Sequence, residues 1–235
     1  MDINYDIYCL SYNNVKRKTQ MENRFQELNL KCTFHKGSSV NIDDQIVINR
    51  KNIASWSCML GHLDMIKHFY ENSEKEYGIF CEDDIYIHKD FKLLLPNIIE
   101  DFKLMNLDVL LLGYLIQFKI ESKHIMFNLK SHSNDLKYTY YNYPDDLWGA
   151  QMYMLTKKHA KYILDKYTIY YPIRTFTDNT LVPFSSDWTI TKEGNRALIY
   201  PMLAVEIADK ISGHQGQDTF HENCKNFNYN PDIYI

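Results

Sequence analysis

The feature that most constrains this chain is an alternation. Short apolar runs of strand length are separated by segments of helical periodicity, the pattern of a sheet covered by helices. Residues 3–12 read as a strand, Asn13 and Asn14 as turn and cap, and a polar helix carrying Val15, Met21, Phe25 and Leu28 follows. A second strand is expected over 31–35. Residues 52–71 then form a half-buried helix through Ile53, Trp56, Met59, Leu60, Leu63, Ile66 and Phe69. The run Tyr77-Gly78-Ile79-Phe80-Cys81 is a strand that stops abruptly at Glu82-Asp83-Asp84. A helix over 91–105, crossing Pro96, and a strand over 108–112 complete the first half. The expected fold is therefore α/β with a mostly parallel central sheet.

From 114 to 146 the pattern weakens into polar patches, the composition of a surface excursion or lid, with a Tyr-rich strand candidate at 138–143. Thr156 is the expected cap of a helix over 156–167 whose inner face carries Ala160, Ile163 and Leu164. Residues 198–205 read as a last strand. The Asn- and Tyr-rich end, 223–235, reads as a surface wrap. No repeat or linker divides the 235 residues, so a single domain over 1–235 is expected.

The charge balance, 26 Lys and Arg against 30 Asp and Glu, supplies no general positive field for nucleic acid or anionic lipid. The longest apolar run, 109–116, is far below the roughly 20 residues of a membrane helix. A start without a basic segment, an apolar core or a cleavage site suggests cytoplasmic residence. Five cysteines without a Cys-x-x-Cys pair read as reduced thiols. The chain also lacks the phosphate loop of P-loop ATPases, the dinucleotide fingerprint, the Gly-x-Ser-x-Gly elbow and His-Glu-x-x-His.

Three adjacent carboxylates at the carboxyl end of a buried strand repel one another unless a cation or solvent screens them. Open α/β sheets bind ligands at that edge. A hard divalent metal is the natural partner of Glu82-Asp83-Asp84, and an acidic turn is the plain alternative.

From here the residues resemble glycosyltransferase family 25, the lipopolysaccharide and procollagen sugar transferases of GT-A fold. The strand Ile7-Tyr8-Cys9-Leu10 with Arg17 and Met21 is similar to the family's opening strand and arginine-bearing helix. Ser57-Cys58-Met59-Leu60-Gly61-His62-Leu63 resembles its Cys-x-x-Ser-His-Leu helix, with Gly61 where serine is usual. The run from Ile79 through Glu82-Asp83-Asp84 to Ile85 resembles the strand leading to its metal and nucleotide-sugar motif. Residues 148–161 are similar to its Gly-x-x-x-Tyr strand and Ala-Lys helix, and Asp187, Pro201 and Ser212 to later positions.

The resemblance implies a single GT-A-like domain that moves a hexose from a UDP-sugar to a hydroxyl of a glycan or glycosylated protein, with inversion and with Mn²⁺ or Mg²⁺. Asp84 is the implied first metal ligand, supported by Asp83, and the late His214, with His221 behind it, completes the shell. Glu82 then faces the ribose or the donor, and Arg17 reaches the diphosphate, although an exposed helix arginine is commonly solvated. Asp187 is the implied base, against Asp178 as a rival and a helix N-cap as the structural alternative. His62 is either a donor contact or a satisfied core histidine. Trp148 and Gly149 line the acceptor pocket, unless Trp148 is a core residue. Two other functions remain open: an inactive glycan-binding protein of the same fold, and a sugar nucleotidyltransferase.

Overall fold

The computed structural model describes residues 4–37, 53–120, 138–142, 147–168, 170–175, 177–209 and 215–235. In chain order it contains β1 (Tyr5–Leu10), α1 (Val15–Glu27), β2 (Thr33–His35), α2 (Ile53–Asn72), β3 (Tyr77–Glu82), β4 (Ile85–Ile87), α3 (Phe91–Leu104) and β5 (Val109–Leu115). There follow β6 (Thr139–Asn142), β7 (Trp148–Thr156), α4 (Lys157–Lys166), the short α5 (Tyr171–Arg174) and α6 (Ser186–Thr189), β8 (Arg196–Tyr200), β9 (Ala204–Glu206) and α7 (Gln215–Asn228).

Seven strands form one sheet in the order β2-β1-β3-β7-β5-β8-β6. β1 runs parallel to β2 and β3, and β5 parallel to β8, while β7 is antiparallel to both its neighbours and β6 to β8. Five strands thus share one direction, as the α/β expectation requires. Side-chain alternation makes the sheet two-faced, and both faces are buried. Tyr8, Leu10, Phe80 and Tyr153 point into a core shared with α2 and α4. Ile7, Cys9, Ile79, Cys81, Met152 and Met154 point into the opposite core, under α1 and α3.

The helix starts follow local chemistry. Asn14 caps α1 by accepting from the Arg17 N–H at 3.0 Å, after Asn13 has turned the chain with φ 49°. Thr156 caps α4 in the same way, its hydroxyl accepting from the His159 N–H at 3.0 Å. Ala160 and Ile163 are buried beneath it, as their spacing predicts.

The structure refines the reading of the second half. The single strand at 198–205 is two strands in two sheets: β8 closes on β5, whereas β9 pairs antiparallel with β4. Between them Pro201, behind a cis peptide, has no N–H for a ladder. The carboxyl-terminal end does run over the surface, but as a helix followed by a turn rather than an irregular strap. α7 buries Cys224, and Tyr234 is 4% exposed with its hydroxyl donating to the Met202 carbonyl at 2.8 Å. Nor does Asp187 cap a helix, since Ser185 holds that place before α6. The expected excursion at 114–146 falls partly outside the described residues.

Candidate active site

β3 delivers its carboxylates to different neighbours because the strand alternates. Glu82 shares the face of Phe80 and turns toward α2, where the Cys58 thiol lies 3.6 Å and His62 Nε2 3.2 Å from its Oε1. The next residue points the other way. Asp83 accepts from the Ser11 hydroxyl at 2.6 Å, just beyond β1, and lies 3.6 Å from Arg17 Nη1. Asp84 then takes the Arg17 guanidinium at 2.9 Å through Oδ2, while its carbonyl anchors the Ile207 N–H at 2.7 Å.

That anchor brings in Glu206, which the sequence did not single out, and with it His221, the second choice for the late histidine. Glu206, at the end of β9, accepts from the Gln151 amide at 3.2 Å and holds His221 Nδ1 at 2.8 Å. Burial and the nearby charge of Glu206 push Glu82 up to about 7. Burial, Glu82 and Glu206 push Asp84 up to about 8, against the opposing pull of Arg17. The Glu206 contact raises His221, an imidazole that also senses Asp84 and Asp187.

Arg17 is therefore no solvated helix residue: its side chain is 13% exposed and spent on Asp83 and Asp84. Asp84 Oδ1 is buried with no hydrogen-bond partner among the described residues, whereas Arg17 Nη2 keeps an ion-pair contact with Asp209 at 3.7 Å. An orphaned carboxylate oxygen in a row of carboxylates suits a hard cation. His214 lies outside the described residues. His221 is the late histidine that the fold brings to the cluster.

His62 is completely buried, and burial pushes its imidazole down to about 4, so its contact with Glu82 is a neutral hydrogen bond rather than an ion pair. Its Nδ1 meets the Tyr153 hydroxyl at 2.8 Å. Gly61, in the place of the family's serine, leaves room for Leu10, whose Cδ1 would stand 2.7 Å from an added Cβ.

Asp187 sits in the first turn of α6, accepts from the Gly149 backbone N–H, and is pushed up to about 6 by burial and by Glu82. Gly149 is required there: its φ is +110°, and a Cβ would strike Gln151 Oε1 at 2.1 Å and the Leu115 nitrogen at 2.9 Å. Asp178, by contrast, caps its own turn, accepting from the Thr180 N–H at 3.0 Å and hydroxyl at 2.5 Å. Trp148 is 43% exposed and meets Trp188 edge-on at 4.8 Å between ring centroids, so it is no core residue. An open cavity of about 360 Å³ adjoins the Ser11 side of the cluster, lined by Ser11, Asn13, Lys18, Phe34, His35 and Lys36 among others.

The sheet edge thus gathers Glu82, Asp83 and Asp84, with Glu206 close enough to shift the protonation of Glu82 and Asp84, and the partly buried Asp187 close enough to be shifted by Glu82. The chain belongs to glycosyltransferase family 25, described as an LPS biosynthesis protein family, whose sequence model matches residues 5–180. It is accordingly a glycosyltransferase. Asp187, Glu206 and His221 lie beyond the match and are placed by the fold alone.

Among solved structures the chain is similar to A197 from STIV, at 11% identity and TM-score 0.43, covering 88% of this chain and 92% of that one. It is similar, at 10% identity and TM-score 0.43, to a glycosyltransferase involved in glycosylation of the major capsid of PBCV-1, covering 92% and 98%. A putative glucose-1-phosphate thymidylyltransferase from Bacillus anthracis aligns at 13% identity and TM-score 0.40, covering 97% and 79%. No curated protein matches the sequence.

Proposed function

We propose that this glycosyltransferase moves a hexosyl group from a UDP-sugar to a hydroxyl of a glycan or glycosylated protein, with inversion and with Mn²⁺ or Mg²⁺. The observation that carries the metal requirement is Asp84: one buried oxygen without a partner, in a carboxyl pushed up to about 8 by burial and by neighbouring acids. Asp84 and Asp83 would hold the cation, with His221 and Glu206 beside them. A bound divalent ion offsets the negative charge that develops as a nucleoside diphosphate departs.

The chain's own residues supply the rest. The cavity beside Ser11 has an aromatic side in Phe34, with Lys18 Nζ 5.5 Å from its centroid, and suits a flat base and an anionic tail. Trp148 offers an exposed indole face to a sugar ring. Asp187 would accept the proton of the acceptor hydroxyl as that oxygen bonds to the anomeric carbon and the bond to the diphosphate oxygen breaks. The Gly149 N–H orients the carboxylate, and a pKa of about 6 leaves it ionised at neutral pH yet basic enough for the task.

The test is thermal shift with UDP, GDP and CMP, each with and without Mn²⁺, on the wild type and Asp84→Asn. The expected result is stabilisation by UDP that depends on Mn²⁺ and disappears in the variant. A response to none of the nucleotides, or one indifferent to Asp84, overturns the reading. Release of UDP from a panel of UDP-sugars then identifies the donor, whereas pyrophosphate from UTP plus sugar phosphate would mark a nucleotidyltransferase.

A further inference from the structure

Behind the carboxylate row lies a second cluster of a different chemical character. Cys58 and His62 are four residues apart on α2 and therefore on one face of it. Glu82 meets them from the end of β3, and the donor atoms of the three residues all lie within 4.8 Å of one another. We propose that Cys58, His62 and Glu82 form a zinc-class metal site with ligands distinct from Asp83 and Asp84, in which Glu82 and His62 serve a metal rather than contact the donor.

Two of the three donor separations match a tetrahedron's edges, and the third, Cys58 Sγ to the His62 ring nitrogen, lies within 4.8 Å. With zinc bonds of about 2.0 Å to nitrogen and oxygen and about 2.3 Å to sulfur, a tetrahedral site spaces its N and O donors about 3.3 Å apart and its S and O donors about 3.5 Å apart. The observed separations are 3.2 Å between His62 Nε2 and Glu82 Oε1 and 3.6 Å between Cys58 Sγ and Glu82 Oε1. A thiolate with an imidazole selects a softer ion than the oxygen-only set of Asp83 and Asp84.

Metal sites also require an orienting partner for the histidine and a route in. The Tyr153 hydroxyl, 2.8 Å from His62 Nδ1, is that partner: with the metal bound it would accept from Nδ1–H and leave the Nε2 lone pair for the metal. Tyr153 is itself fixed between Phe80, stacked at 5.3 Å, and His62. Access comes through Cys58 and Glu82, which are partly exposed while His62 is not. Three protein donors leave the fourth position to an exchangeable oxygen ligand, and Ser186 Oγ, 3.8 Å from Cys58 Sγ, borders it. Binding displaces the Cys58 thiol proton to solvent, so uptake is accompanied by proton release.

The experiment uses the full chain, stripped with a chelator, reloaded with Zn²⁺ or Co²⁺ and desalted. The expected result is one zinc per chain by elemental analysis, and with Co²⁺ a near-ultraviolet thiolate-to-cobalt charge-transfer band. Both should be lost in Cys58→Ser and in Glu82→Gln, and Tyr153→Phe should weaken binding by about tenfold or more. Asp84→Asn should keep the zinc while losing the Mn²⁺ response, which separates failure of this site from failure of the donor reading. A wild type that retains no zinc, a cobalt complex without the thiolate band, or a Cys58→Ser chain that binds as much zinc as the wild type each overturns the proposal. The band is read on the wild type and does not depend on any variant folding.

Discussion

Asp187 carries its expected role in its surroundings. Burial and Glu82 raise the carboxyl to about 6, and the Gly149 backbone pulls the other way. A base with that value is protonated and inactive in acid, so kcat/KM should rise with pH through about 6 and level off above it. Asp187→Asn should lower kcat by about a hundredfold or more, as loss of a general base does, and abolish that limb of the profile. A variant with an unchanged profile would remove Asp187 from catalysis. Several features of this site were legible from residues alone. A strand that ends in three acids is plain in the sequence, and so is a glycine beside tryptophan. Glu206 was not, because an acid closing a short apolar run looks like any solvated strand end until β9 is seen to pair with β4 and set Glu206 opposite Ile85. His221 fell behind His214 for a related reason: its place depends on the packing of α7, which neighbouring residues do not specify.

Elements were legible where local chemistry and burial agree. Thr156 is such a case, with φ −73° and ψ 154°, outside the helix, and its hydroxyl on the His159 N–H. Thr156→Ala removes that acceptor and should cost about 1 kcal/mol of stability, read by urea denaturation with the m-value unchanged. A loss below a few tenths would mean that the β7 ladder, which runs directly into α4, fixes the helix start by itself. Where local chemistry and burial disagree, the sequence misled. α7 is rich in Asn, with Gly216 near its start, poor material for a helix; its place is set by Cys224 buried against the fold and by Asn228, whose amide donates to the Ile116 carbonyl at 2.7 Å. The apparent strand at 198–205 has the opposite defect: its apolar run is continuous, but Pro201 cuts the ladder and the second half pairs with β4 instead.

At the scale of the molecule, the sheet edge accumulates charge that folding must hold. Glu82 and Asp84 titrate near 7 and 8 in the folded chain, far above free carboxyls, so the folded state binds more protons than the unfolded state as pH rises past the ordinary carboxylate range. The stability associated with these groups is present in acid and is lost as pH rises through about 7 to 8. His221, raised in the fold, contributes with the same sign. His62 has the opposite sign, since an imidazole lowered to about 4 costs stability as pH falls below its ordinary value near 6.5. Above that value His62 is neutral in both states, which leaves a clean window. Between about pH 6.5 and 8.5 the metal-stripped protein should lose thermal stability as pH rises, and Asp84→Asn should flatten the slope. Mn²⁺, which binds the ionised form, should reverse the trend in the wild type and do nothing for the variant. Melting curves with and without chelator across that window decide the point, since a cluster built only to pair with Arg17 would show the same slope whether manganese is present or not.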